Sequence, residues 1–243
     1  MTKTALITGS SRGIGRALAI QLAKDGFRIL LHGSRMSEKL QETAQLIQEQ
    51  GGTVEIFTAD LTDLTQTEVL CNELPPVDVL ILNASLQYRT PWQQIDVEAC
   101  YEQLNCNFVS SMLLIQAVTP GMQARKWGRI ITIGSVQEAK PHPDMLVYSA
   151  SKAAQTNMMH SLALQLAKDG ITVNNVAPGV IFTDRNVEAL SDPAYAKIVS
   201  DSIPAGFYGE PEDCAGMASL LCSDAGRYIT GQSLYIDGGK SVQ

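Results

Sequence analysis

Apolar residues arrive along the chain in short runs separated by longer stretches with helical spacing. The runs at 4–8, 28–31, 54–57, 77–82, 129–133, 172–176 and 233–236 are rich in Val, Ile and Leu, and predict seven strands. Residues 14–24, 37–50, 63–73, 97–125, 147–168 and 211–222 carry helical spacing, with Gly26, Gly51, Gly128 and Gly170 as stops. Strand and helix alternate with connections too short for anything but right-handed crossovers. The expected fold is therefore α/β, a single-domain, doubly wound, seven-stranded parallel sheet over 1–243 with helices on both faces. One stretch breaks the rhythm: residues 183–209 form a long connection with two prolines, the mark of a lid or binding loop.

Composition narrows the function classes. A formal charge of −7 gives no positive field for nucleic acid or an anionic membrane. No apolar run approaches the roughly 20 residues that cross a bilayer, and the N-terminal run is too short for a signal peptide, so the expectation is a cytoplasmic protein. The five cysteines, Cys71, Cys100, Cys106, Cys214 and Cys222, make no CxxC pair and are expected to be buried free thiols; no metal site is expected.

In such a sheet, ligands bind beyond the carboxyl ends of the strands. After the first run, Gly9, Ser11, Arg12, Gly13, Ile14 and Gly15 make a GxxxGxG turn opening a helix. Backbone without Cβ atoms, free N–H groups and a helix dipole suit a dinucleotide pyrophosphate. An ordinary strand-to-helix turn fits the glycines too. The same residues satisfy GxSxG, but a serine hydrolase needs an acid and then a late histidine, and the last histidine, His160 after Asp144, lies inside an amphipathic helix. Further along, Tyr148 and Lys152 share one helix face at i,i+4 spacing. An ammonium about 4 Å from a phenol, at an effective dielectric of about 20, contributes about 4 kcal/mol, enough to bring the phenol from about 10 toward about 7. A partly buried Tyr beside a solvated Lys is the plainer alternative. Ser135, directly after the fifth run, adds a hydroxyl that can hold a carbonyl oxygen as charge builds on it.

Taken in order, TGSSRGIG at 8–15, Asp60 with Leu61, Asn83 with Ala84, Asn107, Ser135, Tyr148 with Lys152, Pro178-Gly179 followed by Thr183, and Asp237-Gly238-Gly239 strongly resemble the short-chain dehydrogenase/reductase family over essentially the whole chain. The resemblance implies a Rossmann-type fold and an oxidoreductase transferring hydride between a nicotinamide and a carbonyl or secondary alcohol. Tyr148 would be the proton donor or acceptor, Ser135 would hold the substrate oxygen, and Lys152 would bind the nicotinamide ribose and lower the Tyr148 pKa. Asn107 would support a water in the proton relay. Asp60 and Leu61 would flank the adenine, Asn83, Ala84 and Ser85 the adenosine ribose, and Pro178, Gly179, Ile181 and Thr183 the carboxamide. Leu82 and Ser85 depart from the family's NNAG wording.

An acidic residue after the second strand marks NAD, whereas basic residues accommodate the 2'-phosphate of NADP. Gly33 stands at the acidic position, with Ser34, Arg35 and Arg12 available to a phosphate, so NADP(H) is expected ahead of NAD. Length and wording come closest to 3-oxoacyl-(acyl-carrier-protein) reductases and to small-carbonyl or sugar dehydrogenases. Acyl carrier protein is thus a candidate partner through Arg125, Lys126 and Arg129, although Asp169 would oppose an acidic carrier. Gln137 and His142 are the expected further substrate contacts, with Phe182 and Phe207 as apolar walls. A small, flat face of Ala150, Ala153, Ala154 and Asn157, with Ser110 and Ser111, suits subunit packing, and the family resemblance implies a homotetramer. A nucleotide-binding regulator that has lost turnover is the alternative from a different class.

Overall fold

The computed structural model describes residues 2–243; Met1, the first position of the expected domain span, and the side chains at 185, 188 and 189 lie outside the described residues. The strands are β1 (Thr4–Ile7), β2 (Arg28–Gly33), β3 (Val54–Thr58), β4 (Val79–Leu82), β5 (Gly128–Ile133), β6 (Ile171–Pro178) and β7 (Ser233–Ile236). They form one parallel sheet in the order β3-β2-β1-β4-β5-β6-β7. The order reverses between β1 and β4, which opens a crevice at the ends of those two strands.

Helices α1 (Gly13–Lys24), α2 (Glu38–Glu49) and α3 (Leu64–Glu73) follow the first three strands. Beyond β4 come α4 (Val97–Leu104), α5 (Ser110–Arg125), α6 (Leu146–Leu166), α7 (Asp184–Leu190), α8 (Pro193–Asp201) and α9 (Pro211–Cys222). Alternate residues of each strand feed two cores. Ala5, Ile7, Ile29 and Leu31 meet Leu18 and Leu22 of α1, Ile47 of α2 and Leu221 of α9. Leu6, Leu30 and Ile130 meet Leu70 of α3, Leu114 and Met122 of α5, and Met159 of α6. Both faces are covered, which is why the strands read as continuous apolar runs.

Five expectations need correction. The helix expected over 97–125 is interrupted by a π turn, Asn105–Val109, between α4 and α5. Its stop is not Gly128 but Lys126, at φ +54°; Gly128 starts β5 and lacks a side chain because a Cβ there would lie 2.6 Å from the Met122 sulfur. The 183–209 connection is largely helical, since α7 and α8 lie within it, and Asp192 caps α8 by accepting from Ala194 N at 2.9 Å. Finally, Cys71 and Cys100 are only partly buried, and Ser110 and Ser111 face inward, donating to Cys106 O and Asn107 O at 2.7 and 3.1 Å. Ala150, Ala153 and Asn157 of α6 are exposed.

Candidate active site

A cleft of about 930 Å³ runs along the carboxyl ends of the strands, from the glycine turn after β1 to the residues after β5 and the segment carrying α7 and α8. The turn is packed too closely for side chains: a Cβ on Gly15 would sit 2.3 Å from Gly9 O, and one on Gly9, itself at φ +64°, would sit 2.9 Å from Ala84 Cα. Asn83 Nδ2 ties the turn to β4, donating to Thr8 O and Gly9 O at 2.9 Å each. From β2, buried His32 accepts the Gly9 N–H at Nδ1 (3.2 Å), so Nε2 carries the proton it donates to Ala59 O (3.1 Å). Burial pushes the His32 pKa down to about 4, against the carbonyl of Ala59, which raises it, so the ring is neutral at pH 7. This clamp was not anticipated from the sequence; a lone histidine inside an apolar run was its only sign.

Ser11, Arg12, Gly13 and Ile14 line the cleft at this end, as do Ser34, Asp60, Leu61, Ala84 and Ser85. Asp60 accepts from Thr62 N at 3.0 Å and Thr62 Oγ1 at 2.8 Å, which fixes its carboxylate. Arg35 does not line the cleft; it projects from an exposed segment. Lys39 of α2, which the sequence reading did not select, stands close by. Lys39 and Arg12 both pair with Asp184 at the start of α7, Arg12 at 3.6 Å, and Lys39 holds the Asp184 carboxyl below the usual carboxylate range. A backbone cradle that excludes Cβ atoms, with two cations beside it, fits a dinucleotide phosphate.

At the other end, Ser135, Tyr148 and Lys152 line the same cleft. Lys152 is 1% exposed, and its ammonium donates to Ile133 O at 2.7 Å and to Gln155 Oε1 at 3.3 Å. It lies 5.8 Å from the Tyr148 ring centroid, which sets positive charge beside a phenol that is itself buried. Ser135 caps a short turn: its Oγ accepts from Gln137 N at 3.2 Å, while Glu138 accepts from Ser135 N at 3.4 Å. Glu138 also accepts from Asn175 Nδ2 at 2.9 and 3.0 Å and from Thr156 Oγ1 at 2.9 Å, joining the Ser135 turn to β6 and α6. Gly134 makes room for this network, because a Cβ there would lie 2.5 Å from both Asn175 Oδ1 and Glu138 Oε2.

Asn107 lies in the π turn behind the cleft. Its Nδ2 donates to Leu86 O and Ser151 Oγ at 2.9 Å each, and its Oδ1 accepts from Leu86 N at 2.7 Å, so the side chain clips the 83–88 loop to α6. Pro178, Gly179, Ile181 and Thr183 line the cleft after β6. A Cβ on Gly179 would meet Asp237 Cα at 2.7 Å, and one on Gly13 would meet the Thr183 methyl at 3.2 Å, so the segment before α7 rests on the glycine turn. Gln137 and His142 also line the cleft, but Phe182 and Phe207 do not; Phe182 stacks on Tyr208 at 5.7 Å, and Met145, Leu190 and Val199 supply the apolar wall.

Two further groups weighed in the sequence lie away from the cleft. His160 is exposed on α6 and does not line the cleft, so the Ser11 turn has no His160 to serve it as base. The basic group offered to a carrier protein is largely neutralised: Lys126 binds Asp169 at 2.6 Å, Arg125 binds Asp78 at 2.9 Å, and Arg129 is 2% exposed. Among the described residues, no helix is long and apolar enough to cross a membrane, and no three His, Cys, Asp or Glu side chains gather as a metal site.

Comparison with known proteins places this geometry among relatives. The family profile described as short chain dehydrogenase matches residues 3–194. The chain is 38% identical over 239 residues to a 3-oxoacyl-(acyl-carrier-protein) reductase of Haemophilus influenzae, covering 98% of this chain and 97% of that one. A 3-oxoacyl-(acyl-carrier-protein) reductase of Agrobacterium tumefaciens solved with NADP bound superposes with a TM-score of 0.93 at 35% identity, over 97% of this chain and 93% of that one. A gluconate 5-dehydrogenase of Burkholderia cenocepacia in complex with NADP and tartrate does so with a TM-score of 0.92 at 30% identity, over 99% and 96%.

Proposed function

The chain belongs to the short chain dehydrogenase family and is an oxidoreductase, and from that premise we propose that it uses NADP(H) to interconvert a small carbonyl compound and its secondary alcohol at the Ser135–Tyr148–Lys152 end of the cleft. The observation that carries the reading is the single cleft joining a Cβ-free phosphate turn to a phenol with a buried ammonium beside it.

When bound, the nicotinamide coenzyme supplies or accepts the hydride. The rest falls to the side chains. In reduction the Tyr148 hydroxyl gives its proton to the substrate oxygen, and in oxidation the phenolate takes it back. Ser135 Oγ, oriented by its cap, donates to the same oxygen as negative charge grows there. The Lys152 ammonium, beside the Tyr148 ring, favours the phenolate, and it would hold the nicotinamide ribose when the coenzyme is bound. Asn107 acts indirectly, holding the 83–88 loop and the Ser151 turn of α6 in register.

NADP(H) over NAD(H) is favoured by the absence of a carboxylate at Gly33 and by Arg12, Ser34 and Lys39 near the glycine turn. The NADP named in the two structures above supports the same choice. We take residues 183–209 as the substrate lid of one catalytic unit, and the exposed Ala150, Ala153 and Asn157 face of α6 as the contact of a homotetramer. Five free cysteines without a disulfide fit a reducing, cytoplasmic setting. Because Lys126 is held by Asp169, a small molecule is favoured over a thioester carried on an acidic protein.

The test follows absorbance at 340 nm as purified protein oxidises NADPH or NADH against diacetyl, keto sugars, keto acids, a keto steroid and an acetoacetyl thioester. Turnover with NADPH on at least one carbonyl is expected. Equal use of NADH would overturn the coenzyme assignment, and no turnover with either would favour the idle regulator.

A further inference from the structure

Resting on the reading above, we infer that the physiological substrate carries an anionic group, a carboxylate or a phosphate, which Arg89, His142 and Lys240 grip at the outer end of the cleft. The chain carries a formal charge of −7, yet Arg89, Lys140, His142 and Lys240 all line the cleft beyond Ser135 and Tyr148. They come from three separate segments that backbone and side-chain bonds draw together. Thr90 N donates to Asp144 O at 2.9 Å, which ties the segment carrying Arg89 to the one carrying His142. Lys240 Nζ donates to Ser202 Oγ at 2.7 Å at the end of α8, and Lys140 donates to Gln243 O, bringing the 137–145 and 240–243 segments to one rim.

Among the described residues, Arg89, His142 and Lys240 have no carboxylate within ion-pair distance, whereas Lys140 is taken up by Gln243 O. The carboxylates that do line the cleft are engaged elsewhere. Glu102 accepts the Tyr88 hydroxyl at 2.7 Å, a bond that pushes the Tyr88 pKa up to about 12; Asp184 holds Arg12 and Lys39; and Asp60 holds Thr62. His142 accepts Asp144 N at Nδ1 (3.1 Å), so its Nε2 bears the N–H left to donate. A guanidinium fork, an ammonium and an imidazole N–H, uncompensated around one mouth, match the oxygens of a carboxylate or phosphate better than a neutral chain.

Matched pairs test this. Wild-type protein and the Arg89→Met and Lys240→Met variants are assayed with NADPH on 4-oxopentanoate against its methyl ester, on 5-keto-D-gluconate against L-sorbose, and on fructose 6-phosphate against fructose. Diacetyl serves as a neutral reference, and compounds not turned over are scored as competitive inhibitors of its reduction. In the best pair, the anionic member should exceed its neutral partner in kcat/KM or inhibitory affinity by about tenfold or more. That ratio should shrink in both variants and at raised NaCl. The acid pairs and the sugar phosphate pair separate the two anion types. If neutral members do as well in every pair, or the ratio survives both substitutions, the inference is overturned while the oxidoreductase reading stands. No NADPH oxidation with any compound, diacetyl included, overturns that reading and the inference with it.

Discussion

Acid should loosen the coenzyme turn through one side chain, His32. The ring is buried, accepts Gly9 N–H at Nδ1 and donates from Nε2 to Ala59 O, and burial brings its pKa from 6.5 to about 4. The unfolded chain therefore takes up a proton near pH 6.5 that the folded chain refuses until about pH 4. Protons favour the unfolded state in that window: the stability His32 contributes is complete above pH 6.5 and drains away as pH falls toward 4. At about 1.36 kcal/mol per pH unit, about 2 kcal/mol is lost between pH 7 and pH 5 and about 3 kcal/mol by pH 4. Protonation at Nδ1 also removes the acceptor for Gly9 N–H, so NADPH affinity should fall over the same range. Urea unfolding of wild type and His32→Phe, at half-unit steps from pH 8 to pH 4.5, isolates the histidine as the difference between the two slopes. Native-state NMR titration of the three histidine Cε1–H signals gives the same answer without a variant. A His32 resonance titrating near pH 6.5 in the folded protein would refute the reasoning.

Other consequences follow from neighbouring contacts. Glu138→Ala leaves Asn175, Thr156 and Ser135 N without their acceptor and should cost about 2–4 kcal/mol in urea unfolding. Glu138→Gln keeps one acceptor oxygen and should recover part of that loss, together with kcat; equal stability of all three proteins would show that the network is idle. Asp184→Asn releases Arg12 and Lys39, so fluorescence titration should find NADPH bound about two- to fivefold more tightly, with NADH unchanged. Arg12→Ala should weaken NADPH about tenfold or more and NADH little, and parallel losses would remove Arg12 from the phosphate site.

Much of this architecture was legible along the chain, for a physical reason. A parallel sheet covered on both faces writes itself as short apolar runs, and ligand groups follow those runs, which is how Gly9 and Ser135 could be found; Tyr148 was marked instead by its i,i+4 spacing to Lys152 on one helix. What escaped depends on contacts between distant segments. Glu138 reads as a surface acid in a turn until β7 brings Ser233 Oγ to 3.3 Å from it. Arg35 and Lys39 lie four positions apart, and only the N-terminal turn of α2, capped by Ser37, decides which cation reaches Asp184. The π turn at Asn105–Val109 has no apolar period of its own; it is fixed by Asn107 bonding across to Leu86. The left-handed stop at Lys126 likewise carries no glycine to announce it.

Proton transfer by Tyr148 beside the Lys152 ammonium is the step on which catalysis depends. Its most direct test compares Tyr148→Phe with wild type in two assays on one preparation, NADPH-dependent carbonyl reduction and NADPH binding by fluorescence. Turnover should fall at least about a hundredfold while the NADPH dissociation constant stays within about twofold. Reduction persisting at the wild-type rate would contradict it.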